Sequence, residues 1–112
     1  MYASSKIELL NQAVTATATS DVKTLDGVGG SFVGFIKVSG YSAGTFTGII
    51  EHSPNGLDWF TLITFTAAIA ANSSEIKFPA NDICLTHIRA KVTAAAAPDA
   101  TVEISLCYSS KK

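Results

Sequence analysis

Two stretches near the C-terminal end, "HIRAKVT" and "TVEISLCY", alternate apolar and polar residues without a break. Ile88, Ala90 and Val92 share one face of the first, with His87, Arg89, Lys91 and Thr93 on the other. In the second, Val102, Ile104, Leu106 and Tyr108 face one way, and Thr101, Glu103, Ser105 and Cys107 the other. Successive side chains of a strand point to opposite faces, so this pattern demands an antiparallel sheet with one buried face and one wet face.

Other segments extend the reading. "FVGFIKVSG" predicts a strand ending at Gly40, "YSAG" a turn, and "TFTGIIEHS" the next strand. "WFTLITF" and "EIKF", before Pro79, follow, while "TAAIAA" between them is expected to be a loop. Short strands separated by turns at this spacing predict an all-β protein, an antiparallel β-sandwich or jelly-roll of about seven to eight strands. "AAAAPDA" is expected to connect the last two strands as a hairpin, with Thr93 opposite Thr101 and an Arg89–Glu103 pair across the ladder. In that register Cys84 and Cys107 lie too far apart for a disulfide, and both are expected to be small packing residues.

The first thirty residues differ. Ile7, Leu9 and Leu10 fit neither the helical nor the strand period. Val14, Ala16 and Ala18 alternate with three threonines as a strand would, and Gly27, Gly29 and Gly30 break the pattern. The expected division is an N-terminal arm and first strand over 1–30 and a β-sandwich domain over 31–112. The arm has too little apolar area to fold alone. Tyr2, Ile7, Leu9 and Leu10 are therefore candidates for contacts with a neighbour, through pairing at a sheet edge, and a chain starting near Ser31 is expected to stay folded.

The stretch "IEHSPNGLDWFTL" gathers the single Trp, one of the two His and an Asn-Gly pair. Ser53, Pro54, Asn55 and Gly56 suit a type I turn closed by a glycine bulge, with Gly56 at positive φ. Asp58 is placed to cap the loop, and Trp59 to cover one end of the core as a lid. A second reading makes Trp59 a stacking platform for a sugar, with His52 and Asp58 bonding to hydroxyls.

Composition narrows the function. The net charge is −1, with 15% charged and 47% apolar residues. No basic cluster could neutralise a run of phosphates, so nucleic acid is not an expected partner. No apolar run is long enough for a membrane helix. The start "MYASSKIELLNQ" lacks a basic segment followed by an apolar one, so folding in a cytoplasm is expected. A surface so weakly charged is poorly protected against association and is expected to be covered in part by a partner. His52 and His87 have no ligand-spaced neighbours, no phosphate loop follows the glycines, and Asp82 and Asp99 suit turns. No catalytic site, metal or cofactor is expected. Arg89 is the charge best suited to anchor an interface.

One resemblance adds to this. Ser53, Asn55, Gly56 and Trp59, then Arg89, Val92, Thr93 and Ala94, then Val102, Ile104 and Leu106 form a pattern similar to small β-sandwich structural proteins of tailed bacteriophages. In those proteins an "SNDG-x-x-W" hairpin precedes "R-x-x-V-T-A" and a final "A-x-V-x-V-x-L" strand. The resemblance covers about residues 40–107. It implies a non-enzymatic virion protein made in the host cytoplasm: a head decoration or cement protein, or a neck or tail component. The partners it implies are the major capsid or another virion protein and further copies of the chain in a cyclic oligomer such as a trimer. The alternative is a carbohydrate-binding module using Trp59.

Overall fold

In the computed structural model, residues 2–25, 32–66, 68–79 and 84–111 are described. They form seven strands: β1 (Tyr2–Val14), β2 (Ala18–Thr19), β3 (Lys23–Thr24), β4 (Phe32–Ser53), β5 (Phe60–Thr64), β6 (Ser73–Lys77) and β7 (His87–Lys111). All pairings are antiparallel and belong to one sheet. The chain is all-β, as the alternation predicts.

Two strands organise the molecule. β4 has 22 residues and β7 has 25. At about 3.3 Å per residue each would run for roughly 70–80 Å if straight, but the longest dimension of the molecule is 42 Å. Both strands therefore bend, and the sheet folds over on itself into a sandwich. In the first layer, residues 32–39 of β4 pair with β6 and with the second half of β7, which also pairs with β1. In the second, residues 45–53 of β4 pair with β5 and with the first half of β7, which also pairs with β2 and β3.

The bends lie side by side. The β4 ladder loses register between Ser39 and Phe46, where Gly40 and Gly44 take φ of 63° and 84°. Opposite lies the Ala94–Ala100 stretch, with Pro98 buried within it. Ser42 Oγ donates to Asp99 Oδ2 at 2.9 Å, and the Tyr41 hydroxyl donates to the Gly44 carbonyl at 2.7 Å. β1 gives way to β2 and β3 at the same level, so these three strands track β7 along both layers. Side-chain oxygens complete the irregular ladder there: Thr17 Oγ1 accepts from the Ala94 N–H at 3.0 Å, and Ser20 Oγ from the Ala90 N–H at 2.8 Å.

The core fills the space between the layers. Ile36, Ile104 and Leu106 of the first meet Phe46, Ile50, Ile63 and Phe65 of the second. Close approach is built in with glycine. A Cβ on Gly34 would lie 2.9 Å from Phe65 Cζ, and one on Gly48 would lie 2.8 Å from Ile36 Cδ1.

Several expectations are corrected. "YSAG" and "AAAAPDA" are bends within continuous strands, not hairpin turns, so Thr93 pairs with Thr47 and Thr101 with Ser39. Arg89 pairs with Glu51, and Glu103 takes Lys6 instead, at 3.0 Å. The 14–19 segment is the end of β1, a crossing and the two residues of β2. The cysteines, as expected, are both free thiols. Residues 2–12 are no separate arm: β1 is hydrogen-bonded to β7 from Tyr2 to Val14. Leu9, Leu10, Val14 and Leu25 are buried in the core. Each such leucine is worth about 2–5 kcal/mol, against a typical total stability of about 5–15 kcal/mol. A chain starting near Ser31 is therefore expected to lose the fold, contrary to the sequence reading. Gly27, Gly29, Gly30 and Asp82 lie outside the described residues.

Candidate functional site

The turn at Ser53–Asp58 is held by two small side chains. Ser53, fully buried, accepts at Oγ from the N–H groups of Asn55 and Gly56 at 3.2 and 2.8 Å. Its hydroxyl donates to Asn55 Oδ1 at 3.0 Å. The same Oδ1 accepts from the N–H groups of Leu57 and Asp58 at 2.8 and 2.9 Å, and Asn55 Nδ2 donates to Asp58 Oδ2 at 2.8 Å. Gly56 takes φ of 77°, as the turn chemistry predicts. A backbone that would otherwise present bare N–H groups is thus satisfied within the loop, in the manner of Asx and ST turns.

This rigid turn sets the position of Trp59, which lies just before β5 and is half-buried. The ring does not close the core as a lid. It sits on the outer face of the second layer, with the Arg89 guanidinium stacked 4.1 Å from its centroid. Ile88 and Ala90 point inward and are fully buried, so strand alternation turns Arg89 outward. Glu51 is directly opposite Arg89 in the ladder and accepts from its Nε at 2.9 Å. The guanidinium is therefore fixed on one side by a carboxylate and on one face by an aromatic ring. At the same end of the layer Leu57 is 82% exposed and Phe60 56% exposed, Phe60 in register with His52 and Ile88 and so on the face opposite Arg89. Two exposed apolar side chains at the same end of the layer as an Arg–Trp stack have the composition of a protein-binding surface.

The histidines border this surface. His52 Nδ1 accepts from the Leu85 N–H at 3.2 Å, which fixes the proton on Nε2, and burial lowers its pKa from the usual 6.5. His87 shares a 3.0 Å hydrogen bond with Thr86 and lies against Gly56. Burial pushes the Cys84 thiol up to about 11, which makes it a poor nucleophile. Among the described residues no group of three or more His, Cys, Asp or Glu could hold a metal ion.

The sequence-predicted residues thus divide. Ser53, Pro54, Asn55, Gly56, Trp59 and Arg89 come together at one end of the second layer. Tyr2, Ile7, Leu9 and Leu10 lie on β1 in the first layer. Leu9 and Leu10 cannot dock a partner, because pairing with β7 seals them into the core. Ile7 is partly buried against the same core, and the Tyr2 side chain lies outside the described residues. Glu51, Leu57 and Phe60 escaped the sequence reading. Glu51 is hidden because it meets Arg89 only through the pairing of β4 with β7, whereas the sequence reading paired the Arg89 strand with the Glu103 strand.

No protein-family model matches the chain, and no curated protein matches it. Solved structures do. The SPBc2 prophage-derived protein YomS is similar over 96% of this chain and 95% of its own, with a TM-score of 0.61 at 12% identity. Infectious bursal disease virus VP2, in its subviral particle, is similar over 96% of this chain with a TM-score of 0.56 at 15% identity. The chain spans 32% of the length of VP2. The Clostridium thermocellum xylanase 10B CBM22-1–GH10 structure is similar with a TM-score of 0.45 over 29% of its chain, too low to carry weight. At these identities the likeness is one of fold.

Proposed function

We propose that this protein is a non-enzymatic structural component of a tailed-phage virion, a capsid decoration or cement protein that binds a shell protein through the Leu57–Phe60 and Arg89 surface. The observation that carries the reading is the likeness to a prophage-derived protein across nearly the whole of both chains. The site supports it. Exposed Leu57 and Phe60 at the same end of the layer as the Arg89–Trp59 stack are suited to holding a protein partner. For the carbohydrate alternative, Arg89 covers one face of Trp59, so a sugar would have to stack on the other face alone.

The test is co-sedimentation of the purified protein with virions of the encoding phage that lack it, followed by labelling of its position in electron micrographs. Saturable binding to heads is expected, with Leu57→Asp and Phe60→Ser each reducing it tenfold or more. Label on the neck or tail would move the protein to those parts of the particle. Binding to a glycan panel without binding to particles would overturn the reading.

A further inference from the structure

We propose that two copies of this chain associate antiparallel along β1, about a twofold axis at Ile7, so that the first layers of two sandwiches join into one continuous sheet. β1 is a 13-residue strand without proline. Among the described residues it pairs with β7 alone, so its other edge offers a row of backbone N–H and C=O groups. Such edges are normally blunted by short length, proline or several charges, and otherwise recruit another strand.

The side chains favour one particular occupant. β1 carries two charges, Lys6 and Glu8, two residues apart and therefore on one face, and both are exposed. An antiparallel ladder centred on Ile7 sets Lys6 of each copy opposite Glu8 of the other, twice by symmetry. Other registers lose this match. A contact that complements itself in this way is the requirement for an isologous twofold interface, and oppositely charged cross-strand pairs reinforce register. Lys6 already donates to Glu103 of its own chain at 3.0 Å. Its ammonium has three donors, enough to serve Glu103 and the facing Glu8 together. Ile7 points the other way, packed against the core, so the two Ile7 side chains meet on the inner face and lengthen the apolar seam. The bulge between Glu8 and Leu10 shifts the outer edge as it shifts the inner one, so beyond it Leu10 faces Ser5 of the other copy.

The contact is independent of the virion reading, and the measurement, mass in solution, does not involve particles. Analytical ultracentrifugation of the full chain at low ionic strength should show a concentration-dependent dimer. Glu8→Lys sets two positive charges against each other at each pairing, and Lys6→Glu sets two negative ones. Each alone should weaken association about tenfold or more. Mixed one to one, the two variants should recover a heterodimer, because each then presents at position 6 the charge opposite to the one its partner presents at position 8. Recovery also shows that both variants are folded. Three results would overturn the proposal: a wild-type monomer at all concentrations, a trimer, or variants that self-associate as tightly as the wild type with no preference for each other.

Discussion

Gly44→Ala tests the idea that the sandwich is one sheet folded at a shared crease. At Gly44 the backbone has φ of 84°, and an added Cβ would lie 2.2 Å from the Ala97 carbonyl oxygen and 2.6 Å from that of Ala96. Those atoms belong to the bend of β7, so the methyl group could be accommodated only by separating the two long strands where they turn together. The left-handed backbone costs a non-glycine residue about 1–2 kcal/mol, and overpacking against a fixed neighbour about 1–3 kcal/mol more. Gly40→Ala is the internal control. It has φ of 63° but no atom within 4 Å of the added Cβ, so only the backbone cost of about 1–2 kcal/mol applies. In a domain of this size 1 kcal/mol moves the melting midpoint by roughly 4 °C. Thermal melts followed by circular dichroism should therefore show a fall of about 4–8 °C for Gly40→Ala and about 8–20 °C for Gly44→Ala. Equal shifts would refute the reasoning, because they would mean that β4 and β7 do not touch at the bend.

Asn55→Asp keeps the acceptor for the loop N–H groups but turns the Nδ2 donor facing Asp58 into a second carboxylate oxygen. A loss of about 1–2 kcal/mol is expected at neutral pH, shrinking in acid as the carboxyl groups protonate, and urea titrations at two pH values check it. Trp59→Ala removes a half-buried ring outside the core, so its cost in the same titration should be about 1–2 kcal/mol, a stacking loss, well short of the 3–5 kcal/mol of a buried aromatic. Gly56→Val forces a β-branched residue to φ of 77° and should cost at least about 1–2 kcal/mol in melting experiments. For His52 the folded pKa lies below the unfolded value of 6.5. Its contribution is present above that pH and is lost as the pH falls through 6.5 toward the folded value. His52→Gln, which keeps an acceptor for the Leu85 N–H, should flatten that limb of the stability profile.

Strand identity and the Ser53–Gly56 turn were legible because each rests on local chemistry: alternation in one case, Pro, Asn and Gly at fixed offsets in the other. The crease was not. Gly40, Gly44, Pro98 and Asp99 are the residues a hairpin turn uses, and they serve equally in a strand that bends from one layer to the next. Reading them as turns gave Arg89 the wrong partner, since a hairpin with Thr93 opposite Thr101 would set Glu103 diagonally across from it. β1 was misread for a related reason. The bulge after Glu8 lets adjacent Leu9 and Leu10 both point inward, a pattern that fits neither helix nor regular strand. At the site, the type of Trp59 and Arg89 suggested contact chemistry, but their stacking depends on β5 and β7 flanking β4, which no local pattern records.

The pairing of Tyr2 with Lys111 also sets an order of events as the chain folds. The turn between His52 and Phe60 closes a short loop at little entropic cost, whereas β1 must search for a partner nearly the whole chain away. Slow, non-local closure of this kind leaves the outer edge of β7 open until the last step. During that interval the same edge is available to the β1 of any neighbouring molecule. Refolding yield should therefore fall with protein concentration even while the finished fold remains stable.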